Sequence, residues 1–186
     1  MTLDLDAVLR AQKPERRRRQ LTPRATGIVA VADMPAADKA AVLLDTNVFI
    51  RQFAGTLPPE VEALFGEALL WHASVCVAEL AAGVGAHHPD APGWRRARDH
   101  YAGLVARIPR SRLLVPDART WAEAGLLSGT VARTQGLQPH QRKEFLADAL
   151  VFLCAARRGV PVITSDRDDY DLLQQLVPTG RFYAYT

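Results

Sequence analysis

The sequence predicts an α/β fold organised around a parallel sheet, and two patterns carry that prediction. Short apolar runs, AVLL at 41–44 and VPVIT at 160–164, show no polar alternation, as expected of strands covered on both faces. Between them lie longer stretches of helical periodicity, so strands and helices alternate along the chain in the way that builds a parallel sheet.

The elements follow in order. A short helix is expected over 3–11, where Leu3, Leu5, Val8 and Leu9 are the apolar positions, and a short strand over 27–31. The first 40 residues otherwise hold Pro14, the run Arg16-Arg17-Arg18-Arg19, Pro23 and the stretch DMPAADKA, which reads as a basic, partly disordered extension. The sequence from 41 to 186 reads as the folded domain. After AVLL come helices over 46–53 and 58–71, then the apolar run SVCV with Glu79 just beyond it. A helix over 92–108, a short strand within 112–116 and a helix over 118–134 follow. The last part is the clearest: a helix over 140–158 stopped by Gly159, a strand over 160–164, a helix near 170–176 and a final strand over 182–185.

At 186 residues, 48% apolar and 23% charged, the chain has ordinary globular composition. Residues 1–40 hold eight Lys/Arg against five Asp/Glu and the remainder holds fifteen of each, so the whole net charge of +3 sits in the extension. Cys76 and Cys154 lie in apolar runs, as buried reduced thiols do. No apolar run approaches a membrane span and the start, MTLDLDAVLR, carries acids where a secretory signal needs a basic region, so a cytoplasmic location is expected.

Four acids stand out. Asp45 and Asp166 each follow an apolar strand and precede a helix, which puts both at the C-terminal edge of the sheet, where ligands gather in α/β folds. Glu79 interrupts SVCVAELAA and Asp148 interrupts FLADALVFL, with no basic residue in either stretch to neutralise them. Converging carboxylates repel unless a cation offsets them. Oxygen ligands without His or Cys suit a hard cation, Mg²⁺ or Mn²⁺, which can activate water, orient a phosphate and stabilise a leaving oxygen. The plainer alternative for Asp45 and Asp166 is a helix N-cap, and for Glu79 and Asp148 the solvent edge of a helix.

These stretches together resemble the PIN-domain nucleases, and within them the VapC-type toxins of bacterial toxin–antitoxin pairs. LLDTNVFI resembles the family's first motif, SVCVAELAAGV its second, LADALVFLCAARRG its third and VPVITSDRDDYDLL its fourth, covering about 41–186. The resemblance implies a three-layer α/β/α sandwich and places the family's acidic cluster on Asp45, Glu79, Asp148 and Asp166, with Asn47 and Thr164 in supporting roles. It further implies a Mg²⁺- or Mn²⁺-dependent endoribonuclease, an RNA substrate, an antitoxin partner and a homodimer. The chain departs from the family pattern in its extension, in a long 83–111 segment, and in extra acids near Asp166. Among those, Asp169 is the alternative fourth acid, since its Asp-Tyr pairing resembles the family's Asp-Phe. The loop His87-His88-Pro89-Asp90 invites a metal reading, but neighbouring histidines in a polar loop are usually solvated.

Basic residues suited to phosphate contact lie at Arg16–Arg19 and at Arg95, Arg96, Arg98, Arg110 and Arg112, the latter interleaved with Trp94, His100 and Tyr101. The competing reading is a solvated helix face and a plain basic tail. Two other functions remain open on the sequence: a PIN-like domain that binds RNA or protein without cutting, and a solitary RNA-processing nuclease. A phosphatase or receiver domain with Asp45 as nucleophile is disfavoured, because Thr46-Asn47-Val48 follows where a phosphatase would place a second Asp.

Overall fold

The computed structural model describes residues 4–186. Leu3, at the start of the expected first helix, lies outside them. Helix α1 (Leu5–Gln12) begins at Asp4, whose carboxylate accepts from the Ala7 amide at 3.0 Å. A single turn, α2 (Ala36–Lys39), leads into β1 (Ala41–Leu44). Then come α3 (Thr46–Ala54), α4 (Pro59–Glu67), β2 (Leu69–Ala73), α5 (Ser74–Ala86) and α6 (Trp94–Ala106). The chain closes with β3 (Leu113–Leu114), α7 (Ala118–Gln135), α8 (Pro139–Arg158), β4 (Val162–Thr164), α9 (Arg167–Leu176) and β5 (Phe182–Ala184).

The five strands form one all-parallel sheet in the order β3-β2-β1-β4-β5. Strands β1 and β4, which lead to Asp45 and Asp166, lie side by side with Leu43 opposite Val162. The α/β class is therefore as the sequence predicts. Successive strand residues point to opposite faces, and the core divides accordingly. Leu43, Trp71, Val162 and Phe182 pack with α7, α8 and α9, while Val42, Leu44, Ile163 and Tyr183 pack with α3, α4 and Leu80 of α5. Both faces are covered, which is why the strands carry no polar alternation. Cys76 and Cys154 are free and buried.

Two expected elements differ. The helix expected over 58–71 ends at Glu67, and Leu69–Ala73 is β2 instead, because pairing with β1 (Ala41 to Leu69, Leu43 to Trp71) overrides a run that reads equally well as helix. The apolar run Ser74-Val-Cys-Val77 opens α5, the helix that carries Glu79, and α5 packs against α3, α6, α8 and β2. The strand expected over 27–31 shrinks to one bridge, Ala30 beside Ala184 of β5. No helix among the described residues is long and apolar enough to cross a membrane.

The segment ahead of β1 lies on the domain. Val8, Val31 and Met34 are buried. Arg133 of α7 donates to the carbonyls of Pro14 and Arg17, and Gln135 to that of Leu21.

Candidate metal centre

Asp45 follows β1 and caps α3. One carboxylate oxygen accepts from the Thr46 amide at 2.7 Å; the other accepts from the Thr164 hydroxyl at 2.7 Å and the Asn47 amide at 2.6 Å. The cap reading of Asp45 is thus met, and the helix start holds its carboxylate at the sheet edge. Asn47 in turn accepts from the Tyr185 hydroxyl at 2.8 Å and the Ser165 amide at 3.2 Å, and the Thr164 hydroxyl oxygen accepts from the Asp166 amide at 2.9 Å. Thr164 and Asn47 therefore pin the ends of β1 and β4 to the start of α9. Glu79, on α5, accepts a hydrogen bond from the Thr46 hydroxyl.

Asp148 projects from α8, Asp166 caps α9 and Asp169 lies in its first turn. One carboxylate oxygen from each of these three falls within 4.8 Å of the others. Asp166 and Asp169 both stand beside Asp148, since a helix that begins at Asp166 presents residues three apart on one face. Asp45 and Glu79 border this trio; their charges, with those of Asp166 and Asp169, act on Asp148.

The electrostatics are those of a site lacking positive charge. Burial, offset by the hydrogen bonds from Thr164 and Thr46 and reinforced by Glu79, lifts Asp45 to about 6. Asp148 is pushed well above the carboxylate range, by burial first and then by Asp45, Asp166, Asp169 and Glu79. Asp169 rises to about 6 through burial and the charges of Asp166, Asp168 and Glu144, and Asp166 is raised mainly by burial. Such a donor set, all carboxylate and mutually repelling, can hold a metal ion.

Beneath the cluster, Tyr170 is fully buried, packed against the rings of Phe152 and Phe182. Its hydroxyl makes no hydrogen bond to any described residue, and burial together with Asp45 and Asp148 drives its ionisation upward. Sequence reading missed Tyr170, Thr46 and Tyr185; the one available signal was that Thr46 and Tyr170 directly follow Asp45 and Asp169, and Tyr185 lies beside no acid.

The arginines at 95, 96, 98, 110 and 112 are exposed. Arg96 stands over the Phe53 ring at 5.0 Å and Arg98 over Trp94 at 5.1 Å, with Arg98 also paired to Asp99 at 2.7 Å. Arg96, Phe53, Trp94 and Tyr101 line a groove of about 420 Å³ that reaches Glu79. His88 and Asp90 are exposed and 3.6 Å apart, and the only acid, His or Cys trio with metal-like spacing among the described residues is the one on α8 and α9.

A five-stranded all-parallel sheet flanked by helices, with acids gathered at its C-terminal edge, has the PIN-domain fold. Several solved structures are similar to the chain across most of its length. FitAcB from Neisseria gonorrhoeae matches with a TM-score of 0.56 at 19% identity, covering 76% of this chain and 96% of the other. DNA-bound VapBC from Salmonella typhimurium matches at 0.55 and 18%, covering 79% and 99%. VapBC-5 from Mycobacterium tuberculosis, a member of the VapBC family of toxin-antitoxin systems, matches at 0.51 and 25%, covering 78% and 99%. No family model and no curated protein matches the chain.

Proposed function

We propose that the chain is a divalent-cation-dependent endoribonuclease and the toxin of a toxin–antitoxin pair. The observation that carries this reading is the convergence of Asp148, Asp166 and Asp169 within 4.8 Å, bordered by buried Asp45, at the edge of the sheet where the fold places ligands. Asp148, Asp166 and Asp169 would hold Mg²⁺ or Mn²⁺, with Asp45 and Glu79 completing the negative field around it. Bound there, such a cation supplies an activated water and charge neutralisation at the phosphate. The residues of the chain do the rest. Thr46, Asn47 and Thr164 donate to both oxygens of Asp45, so its carboxylate cannot rotate away. Arg96 and the exposed arginines beyond it offset the acidic rim for a polyanion and can pair with its phosphates.

The toxin role is supported by the likeness to complexes described as toxin–antitoxin systems, and a homodimer and an antitoxin partner are proposed on the same ground. The test is cleavage of a mixed-sequence RNA by the purified chain with Mg²⁺ or Mn²⁺, beside Asp148→Asn. Metal-dependent cutting that the variant loses is expected. Equal cutting by the variant, or cutting that persists in EDTA, would remove the reading.

A further inference from the structure

Helix α9 has an electrostatic problem at its start. Asp166, Asp168 and Asp169 crowd its first turn, and Asp166 and Asp169 each bring a carboxylate oxygen within 4.8 Å of one from Asp148 of α8, so the like charges of that turn and of α8 repel. The segment ahead of β1 grips the same helix. Asp171, two residues on from Asp169 and hence on the opposite face of a helix, has a fully buried side chain. It accepts from the Arg24 amide at 2.7 Å and from the Arg24 guanidinium at 2.5 Å, and from the Gln175 amide at 2.8 Å. These bonds hold the Asp171 carboxyl below its usual range although burial alone would raise it. Arg167, in the repelled turn, donates to the carbonyls of Arg24 and Ala25 at 2.8 and 2.9 Å; Gln175 donates to that of Thr22 at 3.0 Å, and Arg24 also reaches Gln174. The far end of the segment is fixed by the Ala30 bridge to β5.

We propose that residues 21–30 are a clamp whose grip on α9, centred on the Arg24–Asp171 pair, sets where Asp166 and Asp169 stand against Asp148. Arg24 is then a positioning residue, acting through a helix it does not belong to. The clamp balances the repulsion at the first turn of α9 by anchoring the face turned away from it, and it makes the extension part of the metal centre rather than an appendage. The inference rests on the metal reading of the cluster.

The test uses the full chain in four forms: wild type, Arg24→Ala, Arg24→Lys and Gln175→Ala. Two measurements are made on each, amide exchange without metal and Mn²⁺ affinity by titration calorimetry. For Arg24→Ala, exchange over residues 167–176 should accelerate and Mn²⁺ affinity should fall about tenfold, the lower end of what outer supports of a metal site contribute. Arg24→Lys, which keeps a cation beside Asp171, should recover part of both. Should Arg24→Ala fail to fold, Gln175→Ala leaves Asp171 paired with Arg24 and should move both readouts in the same direction by less. A segment freed over residues 21–30 with α9 exchange unchanged overturns the clamp, as does a loosened α9 that binds Mn²⁺ at wild-type strength. A wild type that binds no Mn²⁺ overturns the metal reading instead, and exchange in α9 still decides whether the clamp exists.

Discussion

Asp148→Asn should make the metal-free protein more stable while abolishing its response to cations. Asp148 has a carboxylate oxygen within 4.8 Å of one from Asp166 and one from Asp169. Two unit charges at that distance repel by about 3 kcal/mol at an effective dielectric of about 20, and solvent at this half-open site cuts each pair to about 1 kcal/mol. Relieving both gains about 2 kcal/mol, which for a chain of this length raises Tm by about 4–8 °C. The sign with pH is fixed by the direction of the shifts. Carboxyls raised in the folded state add stability that is complete below their unfolded pKa and lost as pH rises through the folded value, about 6 for Asp45 and Asp169. The advantage of the variant should therefore be gone at pH 4 and grow as pH rises through the folded value of Asp148, which lies well above the carboxylate range. Millimolar Mg²⁺ should raise the wild-type Tm at pH 8 and leave the variant where it was. Calorimetric melts with EDTA or Mg²⁺ read all of this. A metal-free variant no more stable than wild type at pH 8, or one stabilised by Mg²⁺ as strongly, would refute the reasoning.

Three further substitutions probe the frame around the cluster. Asn47→Ala removes a donor to Asp45 and the acceptor for Tyr185 and Ser165, and should cost about 2–3 kcal/mol in urea unfolding. Tyr170→Phe deletes a buried hydroxyl without a hydrogen-bond partner among the described residues, so the metal-free variant should melt at or above the wild-type temperature. Gly180→Ala places a Cβ into the Phe152 ring and should lower stability by about 1–3 kcal/mol, measured by thermal melts.

The parts of the fold that could be read from sequence are those with local signals. Asp45 and Asp166 were legible because an apolar strand followed by an acid and a helix is a pattern of a few residues, and α8 because Gly159 ends it with a left-handed backbone. β2 was not, since Leu69 to Trp71 follow α4 without a turn residue and their strand conformation comes from pairing with β1. Asp169 read only as an alternative to Asp166, on its Asp-Tyr pairing, because sequence spacing does not show what α9 faces; the placement of α8 brings both beside Asp148. The grip of Arg24 on Asp171 spans 147 residues of sequence, and the periodicity of the extension carries no trace of it.

The proposed function requires a cation held by Asp148, Asp166 and Asp169. A crystal of the wild-type chain grown or soaked in Mn²⁺ and measured near the manganese edge tests it directly. An anomalous peak bounded by Asp148, Asp166 and Asp169, absent from Asp148→Asn under the same conditions, is the predicted result. Saturating Mn²⁺ with no peak among these three carboxylates would contradict it.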